Sequence, residues 1–107
     1  MEETKFLELS GKTLIQLADF IENNDEKSIF DVEYSEGILN IEVFASKQNY
    51  VINKHSASQK IWFSSPISGA DYFSYDEQSQ KWLDKNFNEL SKILLNELTK
   101  NFNFNIS

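Results

Sequence analysis

The side chains in this chain that could do chemistry are carboxylates, and they are unevenly placed. Residues 1–36 carry ten acids and three lysines, whereas residues 37–107 carry seven of each, so the entire formal charge of −7 lies in the first third. Asp19 and Glu22 are three apart, a spacing that makes them neighbours on a helix. The chain has no Cys, which excludes disulfides, thiolate metal sites and a Cys nucleophile. His55 is the single His, so a His-rich zinc or copper site is excluded as well. Any bound metal must then be held mainly by carboxylates, which favour hard cations. An acidic field of this kind attracts cations and basic surfaces and repels nucleic acid and anionic membranes. The bland alternative, that the acids only solubilise an exposed helix, is open at this level.

Catalytic patterns are absent. His55 has no evident orienting partner and reads as a turn residue, not a general base. Ser64 and Ser65 lie in no nucleophile-elbow pattern, and there is no Gly-rich phosphate loop or His-Glu zinc motif. The segment from Asp25 to Asp31 lacks the alternating ligands and central Gly of a calcium loop.

The elements that must position these groups follow from periodicity. In residues 4–23, Leu7, Leu14, Leu17, Ala18 and Ile21 recur at spacings of three, four and seven, which predicts a helix with one apolar face. Phe30, Val32 and Tyr34 alternate with Asp31, Glu33 and Ser35; after a turn at Ser35-Glu36-Gly37, Leu39, Ile41 and Val43 alternate again, predicting a hairpin. Tyr50 and Ile52 mark a third strand, and Ile61 and Phe63 a fourth. Phe73 with Tyr75 and Trp82 with Leu83 predict two short further strands. A second helix is expected over 87–100, with Asn86 and Glu89 as a capping box and Phe87, Leu90, Leu94 and Leu98 as its stripe. The tail NFNFNIS is expected either to pack back on the domain or to fray.

Short connections demand antiparallel neighbours. The predicted fold is therefore α+β, a single domain over 1–107 with two terminal helices on one face of a five- to six-stranded antiparallel sheet. Two helices cover only one face. By parity Trp62 points away from the helices if Ile61 and Phe63 point toward them, and Asn53 and His55 share its side if Ile52 points in. Either Trp62 marks a binding surface, or a loop or the tail covers it.

The stretches YVINK at 50–54 and IWFSSPISG at 61–69 resemble the frataxin family, as do DVEYSEGILNIEV and the NELTK of the last helix. The likeness runs in order over roughly residues 4–100. It implies a planar antiparallel sheet backed by two helices. It implies iron, Fe(II) or Fe(III), weakly bound through an acidic ridge of Asp19, Glu22, Asp25, Glu26, Asp31 and Glu33. It also implies docking to a cysteine desulfurase and its iron–sulfur scaffold protein through a sheet surface that includes Asn53, His55, Lys60 and Trp62. Three positions depart from the family pattern: Lys60 stands where Gln is usual, Tyr72 where mitochondrial frataxins have Arg, and His55 where Gln is frequent.

The function so implied is that of an iron donor or iron-dependent regulator in iron–sulfur cluster assembly, acting without catalysis as a monomer or as an iron-driven oligomer. A ferroxidase and a generic acidic interaction module are the alternatives. The acidic start, MEETKFLELS, suits neither a signal peptide nor a basic transit peptide. A bacterial cytoplasm is the expected location, with the mitochondrial matrix as the alternative for a processed chain.

Overall fold

Glu36 and Gly37 close the first hairpin with positive φ at both residues, 53° and 78°, as the tight turns that match strand twist require. The positive φ is what favours glycine at 37; a Cβ there would also lie 2.5 Å from Cε of Lys54, whose flexible end would have to shift. The computed structural model describes residues 1–106. The hairpin consists of β1 (Phe30–Ser35) and β2 (Ile38–Val43), and the chain continues through β3 (Asn49–His55), β4 (Lys60–Ser65), β5 (Gly69–Asp76) and β6 (Lys81–Leu83). Every sequential pair is antiparallel, so the six strands form one meander in chain order with β1 and β6 at its edges. Helices α1 (Glu3–Asn24) and α2 (Leu90–Phe102) lie on one face of it. The predicted two-layer α+β architecture is therefore the observed one, with six strands.

The core lies between the helices and the inward residues of the sheet. Leu39, Ile41, Tyr50, Ile52, Ile61 and Phe63 are buried there beneath Leu14, Ile21, Leu94 and Leu98. The β6 edge is tied to α1 by Trp82, whose Nε1 donates to Thr13 Oγ1 at 2.9 Å and whose ring meets Phe6 edge-on at 5.9 Å. The β1 edge is closed by the tail. After Asn103, in the left-handed region at φ 60°, Phe104 folds back into the core against Phe30, with ring centroids 5.6 Å apart.

Five expectations need correction. The buried stripe of α1 runs through Phe6 and Ser10 rather than Leu7, which is exposed. Four-residue steps back from Leu14 reach Ser10 and Phe6, and Ser10 satisfies its hydroxyl on the Phe6 carbonyl at 2.7 Å. Strand β5 is the longest in the sheet, not a short one, with eight residues. Helix α2 starts at Leu90, not at 87, and its N-cap, Glu89, makes no side-chain capping bond. The cause is Asp84, whose Oδ1 accepts the N–H groups of Asn86 and Asn88, both at 2.9 Å, and so holds 84–88 as a turn. Phe87 consequently leaves the apolar stripe altogether. It stands at φ 64°, 82% exposed.

Candidate functional site

The six acids of the predicted ridge fall into three groups. Asp19 and Glu22 are exposed one turn apart on α1. Asp31 and Glu33 are exposed on edge strand β1, on the face that the helices leave open. Asp25 and Glu26 lie in the loop between α1 and β1. The Asp25 carboxylate is engaged: Oδ1 accepts Ile29 N–H at 2.8 Å and Oδ2 accepts Phe30 N–H at 2.9 Å, steering the chain from helix into strand. Among the described residues no three His, Asp or Glu side chains form a group that could enclose a metal ion. With Asp25 engaged, the donors left are the exposed carboxylates of Asp19, Glu22, Glu26, Asp31 and Glu33. Oxygen donors in ones and twos suit a hard cation that keeps most of its water.

The register defines the open face row by row. Ser35, Ile38, Asn53, Trp62 and Tyr72 lie side by side across β1 to β5. The next row holds His55, Lys60, Ser74 and Leu83. Asn53, His55 and Trp62 therefore share the open face, as parity predicts, and Lys60 stands beside them. Trp62 is half-buried, and the tail that could have covered it packs instead on the helix side of the sheet, against Phe30. Its aromatic neighbour is Tyr72, at 4.8 Å between centroids. His55 is the last residue of β3 and not a turn residue; its Nδ1 lies 2.7 Å from Ser58 Oγ and its ring meets Tyr72 edge-on at 5.7 Å.

Two features escaped the sequence reading. Glu42 lies directly opposite Asp31 and adds a third acid to the β1–β2 corner of the open face. Its signal was present, because Ile41 and Val43 point inward and so turn Glu42 outward. The second feature is Glu97 of α2, whose Oε1 accepts hydrogen bonds from Tyr50 Oη at 2.9 Å and from Ser65 Oγ. Ser65 Oγ in turn accepts the N–H groups of Ile67 and Ser68, at 2.9 and 3.0 Å, which fixes the SSPISG loop. Burial, and secondarily the adjacent Glu97, push the Tyr50 phenol far above its ordinary range. No sequence spacing announces this node, since its three members come from β3, β4 and α2.

The molecule is thus a two-layer α+β protein with an acidic, helix-backed edge beside an open sheet face that bears aromatics. Comparison with known proteins narrows the class. Residues 1–104 match the family model for the frataxin-like domain, and the chain belongs to the frataxin family. The mitochondrial frataxin of Dictyostelium discoideum is 40% identical over 67 residues, which span 63% of this chain but only 34% of that protein. A trimeric Saccharomyces cerevisiae frataxin solved in complex with ferrous iron is 32% identical and superposes with a TM-score of 0.75, over 94% of this chain and 85% of that one. The trimeric yeast protein with its full-length N-terminus gives the same identity and score over 86% and 77%. The frataxin of Psychromonas ingrahamii shares the fold, with a TM-score of 0.77 over 100% and 97% of the two chains at 20% identity. No helix among the described residues is long and apolar enough to cross a membrane.

Proposed function

We propose that this protein is a non-enzymatic iron-binding protein of iron–sulfur cluster assembly, acting as iron donor or iron-dependent regulator of the cysteine desulfurase–scaffold complex. The observation that carries the reading is the joint placement of two surfaces. The acidic α1–β1 edge runs alongside an open face on which Asn53 and Trp62 are direct cross-strand neighbours. Iron binding by a yeast relative of the same fold supports the cation assignment.

The residues fit iron as a transient cargo. Asp19 with Glu22, and Asp31 with Glu33, offer hard oxygen donors that are exposed and mutually repelling. Sites of this kind bind weakly, exchange quickly and discriminate little among divalent ions, which suits delivery or sensing better than storage. A bound cation also reduces the −7 field and so alters the attraction to a basic partner. The proposed location is the compartment that houses the assembly machinery, the bacterial cytoplasm or the mitochondrial matrix.

The test is a binding titration of purified desulfurase–scaffold complex with and without Fe(II), comparing wild type, Trp62→Ala and Asp19→Ala/Glu22→Ala. Loss of binding in Trp62→Ala, and loss of the iron effect in the double variant, are expected. Affinity that ignores iron at every salt concentration would reduce the protein to an acidic interaction module. Rapid oxygen consumption on Fe(II) addition would replace the non-enzymatic reading by a ferroxidase.

A further inference from the structure

The charges of the open face are segregated. The outward positions of β1 and β2 are Asp31, Glu33, Ser35, Ile38, Asn40 and Glu42, three acids and no cation. On β3 and β4 the outward charged or titratable residues are His55 and Lys60. On β5 and β6 the outward charges cancel, because Asp76 is paired in register with Lys81 and is further engaged by Ser79 at 2.6 Å. Lys60 lies two to three strands and two to three side-chain rows from the acids. Strand and residue spacings set that diagonal at roughly 20 Å, well beyond the screening length of about 8 Å at physiological salt. The two signs therefore do not neutralise one another.

Lys60 is also held. Its Nζ lies 5.9 Å from the centroid of the Tyr72 ring, within the range of cation–π attraction. Trp62 and His55 border the same ring. The lone ion pair among the described residues joins Lys5 to Glu77, so no carboxylate lies within ion-pair distance of the Lys60 ammonium. A cation fixed on an aromatic platform and lacking a protein counter-ion offers its charge to whatever docks there.

We infer that the open face recognises a partner protein of two-sign character. One region of that partner is basic and lies over Asp31, Glu33 and Glu42; a second region, about 20 Å away, presents a carboxylate to Lys60. Trp62 and Tyr72 take up apolar contact between the two. This deepens the docking role proposed above and rests on it. A partner of one sign gains at one corner and loses at the other, and the correct partner rotated by half a turn loses at both. Charge segregation thus sets orientation as well as attraction.

The experiment measures association rate and affinity of the cysteine desulfurase–scaffold complex for wild type, Lys60→Gln, Lys60→Glu, Glu33→Lys and Trp62→Ala, at several salt concentrations, after thermal melting confirms that each variant folds. Lys60→Glu is expected to weaken binding by about tenfold and Lys60→Gln by about threefold, mostly through slower association at low salt. Glu33→Lys is expected to weaken binding as well, although it moves the net charge the opposite way. Unchanged or tighter binding by Lys60→Glu overturns the inference, because the facing surface is then basic throughout. If Trp62→Ala still loses binding in that case, docking through this face stands and only its two-sign character falls. If wild type fails to bind, or no variant alters binding, the docking role fails and this inference fails with it.

Discussion

The two faces of the sheet are built by the same strands and answer to different demands. On β4, Ile61 and Phe63 are buried under the helices, while Lys60, Trp62 and Ser64, which alternate with them, lie on the open side. The covered face is close-packed, and its polar groups, among them the Glu97 node, are hydrogen-bonded; the open face keeps a Trp and a Tyr at the surface, Tyr72 40% exposed, with the Lys60 ammonium over the Tyr72 ring. Residues one position apart in sequence thus divide the work, one set holding the fold and the other left available for contact. If that division is real, substitutions on the two faces should separate stability from binding.

The largest expected effect comes from Phe63→Ala. Phe63 is 2% exposed and touches the rings of Tyr50 and Phe73, so its loss should cost about 3–5 kcal/mol in denaturant unfolding. Its neighbour Trp62→Ala, which gives up a half-buried ring contact with Tyr72, should cost only about 1 kcal/mol in the same assay while abolishing partner binding. Equal destabilisation by the two would break the contrast between the faces.

Glu97→Ala should cost about 2 kcal/mol, since it strips the Tyr50 and Ser65 hydroxyls of their shared acceptor. Hydrogen exchange sharpens the point, because the amides of Ile67 and Ser68 should lose protection before those of the central strands. Alkali probes the same node. Tyr50 ionises more readily in the unfolded chain, near its ordinary value of 10.0, than in the fold. Above that pH the unfolded state holds fewer protons, so stability should fall by about 1.4 kcal/mol per pH unit. The contribution is complete below pH 10 and disappears as pH rises toward the folded value; Tyr50→Phe should remove that slope.

The smallest effect is a gain. Phe87 occupies the left-handed region and is almost fully exposed, so Phe87→Gly should stabilise the protein by about 1 kcal/mol. A loss of stability instead would show that Phe87 makes contacts worth more than its backbone strain.

Much of this was legible in the residues. Alternation at Asp31–Ser35 and at Lys60–Ser64 is a local property of the backbone, because successive side chains must point to opposite sides of a strand. Short connections leave antiparallel pairing as the only option, so strand order and the outward placement of Asn53 and Trp62 followed directly. The charge asymmetry, the lack of thiolates and the resemblance carried by IWFSSPISG needed no coordinates.

Other features are set by competing local hydrogen bonds or by groups far apart in the chain. Asp84 competes for the backbone of 86–88, and its hydrogen bonds override a capping pattern that reads well locally. Whether the tail covers Trp62 or Phe30 is decided by where α2 ends relative to β1, a distance that sequence spacing does not contain. The Glu97 node joins two strands and a helix, and the contact of Lys60 and His55 with Tyr72 joins three strands. The sequence by itself determined the element types, the facing of each strand residue and the charge, since these follow from short-range sterics and composition. Only the tertiary structure decided which distant side chains satisfy one another, because burial and hydrogen bonding are settled by the assembled chain.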